Sequence, residues 1–188
     1  RAFPGIGTNV PIWLLGSSGY SAQLAGALGL PFAFAAHFQP EGMMEAFELY
    51  RNSFRPSEVL ERPYSMAGVP VLVADSDQKA QYLATTAQQM FLNLIRNRPV
   101  GLMPPVEHMD WNALEQAAVT AKFRAAIVGN PETVRQKLED FIEQTQVNEL
   151  MVVANTWEHA DRLRSYELLA GLAGIAPQAN ELAEPVSS

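Results

Sequence analysis

The stretch Pro11 to Phe38, PIWLLGSSGYSAQLAGALGLPFAFAAHF, contains a complete strand, helix and strand pattern. It opens with a continuously apolar run, Pro11–Leu15, which is typical of a parallel strand buried on both faces. A turn of glycine and serine follows at Gly16–Gly19, and an Ala- and Leu-rich segment with helical spacing occupies Ala22–Leu28. A second apolar run occupies Phe32–Ala36. Because parallel strands need a crossover connection, the pattern predicts a β-α-β unit.

The turn between the first strand and the helix has the composition of an anion-binding site. A helix N-terminus presents backbone N–H groups without intrahelical partners and carries about half a positive charge. Gly16 and Gly19 let the backbone approach a ligand, and the hydroxyls of Ser17, Ser18 and Ser21 can donate to phosphate oxygens. Phosphate is therefore the predicted ligand. A second interpretation stays open: Ser18 or Ser21 caps an ordinary crossover helix and the glycines only form the turn.

Composition sets the class of protein. The chain has 188 residues, of which 48% are hydrophobic and 18% charged, as in an ordinary globular domain. A formal net charge of -7 argues against nucleic acid or an anionic membrane surface as a partner. The absence of cysteine excludes disulfides, thiolate metal sites and a cysteine nucleophile, and no histidine has a second ligand at metal-binding spacing. Without an apolar run of membrane-spanning length or a visible signal peptide, a soluble cytoplasmic protein is expected.

The rest of the chain alternates strand and helix patterns. Two further apolar runs predict strands, and a segment rich in proline and glycine at 99–105 is a candidate lid. The run 122–128 is expected to be a short connection, and the tail from 177 onward to fray. The helix starts are marked by the cluster Asp75-Ser76-Asp77 and by Asn130 followed by Pro131. The predicted strands are 69–74 and 149–154, and the predicted helices are 43–54, 79–96, 111–119, 133–145 and 160–172.

Four apolar strands separated by helices predict a parallel α/β sheet with right-handed crossovers. Two architectures satisfy this pattern, an open doubly wound sheet and one half of an eight-stranded barrel. Periodicity does not distinguish between them. The chain also begins at Arg1 rather than at methionine, which indicates a processed product or a piece of a longer protein.

Several segments carry a family resemblance. PIWLLGSSGYSAQLAGALGLPFAFAAHF, VPVLVADSDQKA, VGNPETVRQKLEDFIEQTQVNELMVVANTW and RLRSYELLAG resemble, in the same order, segments of the bacterial-luciferase-like flavin-dependent monooxygenases. The resemblance implies a (β/α)8 TIM barrel of which this chain supplies strands five to eight. Residues 1–176 would then form the C-terminal half of the barrel, and 177–188 a polar tail.

The resemblance also implies a cofactor and a reaction. In the family the corresponding turn receives the phosphate of FMN, which here falls on Ser17, Ser18 and Ser21 with the backbone of Gly19 and Tyr20. Reduced FMN, commonly supplied by a separate NAD(P)H-dependent reductase, would react with O₂ to oxygenate a small organic substrate. The best-known catalytic residues of the family lie in the other half, so none is assigned here. The alternatives are a non-catalytic FMN-binding relative, or an α/β enzyme acting on another phosphorylated ligand.

Two further residues are candidates for the pocket. His37 follows the second strand and Trp157 follows the last, at the face where barrel active sites form. For both, a packing or hydrogen-bonding role is the alternative. Asp75 and Asp77 are expected to cap a helix rather than to act in catalysis.

A half barrel leaves two strand edges and part of its inner face uncovered. We therefore expect the chain to associate with the N-terminal half of the barrel or with a second copy, as a homo-oligomer such as a dimer.

Overall fold

A computed structural model describes residues 3–175, which contain five strands and six helices. All strand pairs in this part of the chain are parallel. The elements are β1 Leu14–Gly16, α1 Gly19–Leu28, β2 Phe32–Phe34, α2 Met43–Ser53, β3 Ser65–Val73, α3 Asp77–Ile95, α4 Ala113–Lys122, β4 Ile127–Gly129, α5 Pro131–Thr145, β5 Glu149–Val153 and α6 His159–Leu172. The predicted tail at 177–188 lies outside the described residues.

The central strand of the sheet is β3, which pairs with three others. Its first residues lie between β2 and β5, with Ser65 opposite Phe32 and Met66 opposite both Ala33 and Glu149. Its last residues pair with β4. On the far side of β2 lies β1. Because the strands are parallel, their carboxyl ends share one edge of the sheet, and this edge positions the candidate site.

The structure differs from the sequence predictions at several boundaries. The first strand begins at Leu14 rather than at 11, and the helix after it begins at Gly19 rather than at 22. The segment 122–128, predicted to be a connection, contains the start of β4. That strand has only 3 residues, too few to show a period, and it forms because the end of β3 offers a parallel partner. Strand β3 begins four residues before the predicted position, because its first residues pair with β2 on one side and β5 on the other.

The main core lies between the sheet and the helices that cover it. Its largest fully buried side chains include Phe32, Phe34, Phe47 and Tyr50. The Tyr50 hydroxyl lies 2.9 Å from the Leu30 carbonyl oxygen, so burial of this ring leaves no polar atom unpaired. Such aromatic burial contributes about 1.5–3 kcal/mol per side chain.

Helices α1 and α2 pack closely because one position between them has no side chain. A Cβ atom added at Gly26 would lie 2.4 Å from the Ser53 Oγ and 2.7 Å from the Tyr50 carbonyl oxygen. The backbones of the two helices therefore approach more closely than any other residue would allow.

Three strands, β1, β4 and β5, have a single strand partner within residues 3–175, and β1 and β5 form the two edges of the sheet β1-β2-β3-β5. Among these residues β1 pairs only with β2, and β5 pairs only with β3. Apolar side chains of these strands are exposed to solvent: Leu15 is 66% exposed and Met151 is 58% exposed. Unpaired parallel strands with exposed apolar residues are the expected features of an incomplete barrel. No helix in the described range combines the length and hydropathy needed to cross a bilayer.

Candidate functional site

The predicted site residues all follow carboxyl ends of parallel strands. Ser17 and Ser18 come directly after β1, His37 follows β2, and Trp157 follows β5. The structure therefore places them at one edge of the sheet, which is where α/β folds bind ligands.

The N-terminus of α1 lacks the side-chain cap that the sequence allowed for. Ser18 occupies the N-cap position with extended backbone angles, but its hydroxyl accepts no capping hydrogen bond, and Ser21 lies inside the helix. By contrast, the N-cap side chains of α3, α4 and α5 each accept a hydrogen bond from a backbone N–H. Helices α2 and α6 also lack a side-chain cap, but each has an acidic residue in its first turn. The first turn of α1 also contains no acidic residue. The positive end of the α1 dipole is therefore not neutralised by its own helix.

The turn is shaped by a close contact between its two ends. A Cβ added at Gly16 would lie 2.4 Å from the Ser21 Oγ and 2.5 Å from the Ser21 Cβ. The Ser21 side chain thus packs against Gly16, and this contact places its hydroxyl next to the turn. Ser18 is exposed and Ser17 is half-buried, while the Tyr20 ring is 75% exposed. The Gly16–Ser21 turn therefore presents hydroxyls and helix N–H groups at an accessible surface.

His37 is held in place by β3. Its backbone N–H donates to the Gly68 carbonyl oxygen at 2.8 Å, and its Nδ1 lies 3.2 Å from the same oxygen. A Cβ at Gly68 would lie 2.7 Å from Nδ1, so this position must lack a side chain for the imidazole to fit. When Nδ1 donates to the carbonyl, Nε2 of the neutral ring is an acceptor. The His37 ring is thus hydrogen-bonded within its loop, and its contact with a ligand stays a prediction.

A cavity of about 990 Å³ lies beside His37, between the strand ends and the helices α3 and α4. Its wall includes Pro70, Val71 and Leu72 from β3. Neither the Gly16–Ser21 turn nor Trp157, which is 47% exposed, contributes to the wall. The structure therefore brings His37 to a cavity and leaves the other predicted residues at separate positions along the same edge.

Sequence reasoning missed the helical part of this wall. Seven residues of α3 line the cavity together with residues of α4, and those at positions 81, 84, 88 and 91 recur at intervals of three and four. The spacing is that of an amphipathic face, but nothing local shows that the helix lies over the strand ends.

The segment 99–105 is tied to α3 by side-chain hydrogen bonds. The Thr86 hydroxyl donates to the Met103 carbonyl oxygen at 3.0 Å, and the Gln89 amide donates to the Pro104 carbonyl oxygen at 2.8 Å. Arg96, just before this segment, contacts the carboxylate of Glu115, which lies after it, with two nitrogens at 2.7 and 2.8 Å. This ion pair holds the pKa of Glu115 at about 2. Pro99 and Val100 of the segment line the cavity. Its role as a lid stays a prediction.

The two aspartates near the start of α3 have structural partners. Ser76, not an aspartate, supplies the cap. The Asp77 carboxylate accepts from the Asn130 backbone N–H at 2.8 Å and so joins α3 to the start of α5. Asp75 pairs with Arg164 at 2.9 Å, and this guanidinium lowers the pKa of the Asp75 carboxyl. Within residues 3–175 no group of His, Asp and Glu is arranged to hold a metal ion.

The sequence and the fold both match known proteins. A sequence model of the luciferase-like monooxygenase family matches residues 1–171. YvbT of Bacillus subtilis (strain 168) is 58% identical over 172 residues, which cover 90% of this chain and 51% of YvbT. The crystal structure of apo-MsnO8 superposes with a TM-score of 0.80 at 30% identity, over 94% of this chain and 54% of MsnO8.

A more distant structure shares the fold. The oxygenating constituent of 3,6-diketocamphane monooxygenase from Pseudomonas putida, solved in complex with FMN, superposes with a TM-score of 0.58 at 18% identity. The match covers 88% of this chain and 48% of that protein. The chain therefore spans about half the length of the relatives it matches, and its parallel sheet corresponds to about half of their TIM barrel. The predicted family and half-barrel fold are confirmed, and this chain belongs to the luciferase-like monooxygenase family.

Proposed function

We propose that this chain is the C-terminal half of an FMN-dependent monooxygenase and that its Gly16–Ser21 turn holds the phosphate of FMN. The observation that carries the proposal is the uncapped N-terminus of α1, where Ser18 makes no capping bond and no acidic residue lies in the first turn. The family assignment supports a flavin-type cofactor.

The chemistry of the turn suits a phosphate dianion. Hydroxyls from Ser17, Ser18 and Ser21 and backbone N–H groups of Gly19 and Tyr20 would donate to its oxygens, and the α1 dipole favours negative charge. The Gly16 backbone leaves room for the Ser21 side chain that an added Cβ would displace.

Bound FMN would supply the electrons and the reaction with O₂ that oxygenate an organic substrate. The residues of this chain would bind the phosphate, fix the position of the ring system at the carboxyl edge of the sheet and exclude water from it. His37, whose imidazole is fixed by Gly68, and Trp157 are candidates for contacts with flavin or substrate at the same edge.

The unpaired edges of the sheet imply a protein partner. The N-terminal half of the barrel would pair with β1 and β5; a second copy of this chain is the alternative. A flavin reductase that uses NAD(P)H would supply reduced FMN, and assembly as a homo-oligomer such as a dimer is part of the proposal.

Comparing FMN with riboflavin, which lacks the phosphate, tests the proposed function. Replacing both Ser17 and Ser18 with alanine in the intact protein should weaken FMN binding at least several-fold, because each charge-assisted hydrogen bond contributes about 1.5–3 kcal/mol. Riboflavin binding should not change, and Thr120→Ala, which removes an exposed hydroxyl on α4, should affect neither ligand. Equal affinities of the unsubstituted protein for FMN and riboflavin would contradict the proposed phosphate site.

A second measurement addresses catalysis. With NAD(P)H, a flavin reductase and O₂ supplied, a panel of organic compounds should yield oxygenated products by mass spectrometry. FMN binding without any product across the panel would favour the non-catalytic alternative.

A further inference from the structure

The face of the sheet that points away from the main core carries a carboxylate, Glu149, at the start of β5. Successive side chains of a strand point to opposite faces. Leu150 and Val152 pack against the main core, so Glu149 and Met151 point to the other face. We call it the inner face, because a closed barrel would enclose it.

The Glu149 carboxylate accepts one hydrogen bond among residues 3–175. The Tyr64 hydroxyl donates to its Oε1 at 2.7 Å, and the Tyr64 ring meets the Trp13 ring edge to face, with 5.7 Å between the ring centres. The neighbouring carboxylate raises the pKa of Tyr64, so the phenol remains a donor. Because a carboxylate can accept up to about four hydrogen bonds, most of its capacity is unused.

No positive charge in the described part of the chain pairs with this carboxylate. None of the ion pairs within residues 3–175 includes Glu149. The five strands β1 to β5 also contain no lysine, arginine or histidine. In this half of the barrel Glu149 is exposed, so solvent stabilises its charge.

Closing the barrel would change the surroundings of Glu149. The interior of an eight-stranded barrel is filled by side chains and holds little water. An ionised carboxylate that loses its hydration and keeps one hydroxyl partner is costly, and glutamate is almost never fully buried unless it is paired. An enclosed Glu149 therefore requires a counter-charge from the polypeptide that encloses it.

The two candidate partners differ in the charge that they bring. A second copy of this chain would add a second Glu149 on strands without a basic residue, and two carboxylates in one interior repel each other. The relatives of this chain are about twice its length, so about half of their barrel lies in sequence outside it. Charge complementarity therefore favours the N-terminal half over a second copy.

We propose that the N-terminal half of the barrel places a lysine or arginine side chain on the inner face, where its cation pairs with the Glu149 carboxylate that Tyr64 orients. This inference rests on the proposed function, because it concerns how the two halves of that enzyme join. The two assignments involve different ends of the strands. Glu149 lies at the amino end of β5, and the Gly16–Ser21 turn follows the carboxyl end of β1.

Carbodiimide labelling of carboxylates in the intact protein, read by mass spectrometry, tests whether Glu149 is enclosed. The matched control is Glu143, an exposed glutamate on α5 that has no ion pair in the described range. Glu149 should react at least about 10-fold more slowly than Glu143, because a buried carboxylate reacts only when the structure opens locally. Equal rates would overturn the proposal, and this measurement needs no substitution.

A double-mutant cycle identifies the cation. Each lysine and arginine in strands one to four of the intact protein is changed to methionine, alone and together with Glu149→Gln, which keeps an acceptor for the Tyr64 hydroxyl. For one of these cations, each single change should lower the urea midpoint by leaving a buried charge unpaired, and the double variant should lose less than the sum of the two. Glu143→Gln should show no such coupling with the same cation. Additive losses for every lysine and arginine tested would overturn the proposal.

FMN affinity measured on the intact parent protein separates the two assignments. Coupling at Glu149 without FMN binding would refute the cofactor site alone. FMN binding without any coupling at Glu149 would refute the pairing of the two halves through this carboxylate alone.

Discussion

Replacing Gly16 with alanine should weaken FMN binding without weakening riboflavin binding. The added Cβ would meet the Ser21 Oγ at 2.4 Å and its Cβ at 2.5 Å, whereas ordinary contacts begin at 3.4 Å. The Ser21 side chain must therefore move by about 1 Å, and rotation alone does not relieve the clash because its Cβ is also too close.

A shift of this size takes the Ser21 hydroxyl out of hydrogen-bonding range of a phosphate oxygen. Losing one charge-assisted hydrogen bond costs about 1.5–3 kcal/mol. This corresponds to an FMN dissociation constant about 10- to 150-fold higher.

Titration of flavin fluorescence in the intact protein measures the effect. Gly171→Ala is the matched control, because a Cβ there meets no atom within 4 Å. Unchanged FMN affinity in Gly16→Ala would refute the reasoning. An equal loss of riboflavin affinity would also refute it, because the substitution would then disturb binding of the flavin ring system rather than of the phosphate.

Three further predictions concern stability. Ser165→Ala removes the hydroxyl that accepts the buried Val73 N–H at 2.9 Å, so the free energy of unfolding in urea should fall by about 1–3 kcal/mol; an unchanged value would show that the N–H finds another acceptor. Gly26→Ala should destabilise the packing of α1 on α2 by about 1–3 kcal/mol or more, because the methyl meets backbone atoms; a stabilised variant would contradict this. Glu115→Gln should lower the thermal midpoint at neutral pH, with a gap to the parent protein that closes as the pH falls from 4.5 to about 2, because the folded-state pKa of Glu115 is lowered to about 2 by Arg96 and its stabilisation is lost on protonation. A gap that does not depend on pH would exclude this ion pair as the cause.

Features encoded by neighbouring residues are predicted well. Asn130 followed by Pro131 marks the start of α5, and the structure shows the Asn130 side chain capping that helix. The short strand β4 was not predicted, since its 3 residues form a strand only where β3 supplies a partner. Local propensity has no information about that partner.

The candidate site also has features that the sequence predicts and features that depend on the fold. The glycines and serines of the Gly16–Ser21 turn are enough, as residue types, to suggest an anion site. The contact between Gly16 and Ser21 and the missing cap on Ser18 depend on how the strand and helix meet. The cavity depends on the position of α3 over the strand ends, which brings together residues as far apart in the chain as His37 and Asn155.

The two unpaired edges have a consequence for the origin of this architecture. The strands β1, β2, β3 and β5 form an arc in the sense that they are consecutive neighbours running in the same direction, so the edge at β1 and the edge at β5 are complementary in direction. A rotated duplicate of the arc would meet both edges in the parallel sense and close a cylinder of two-fold symmetry. A gene encoding such an arc needs only tandem duplication and fusion to convert a symmetric pair into one continuous polypeptide.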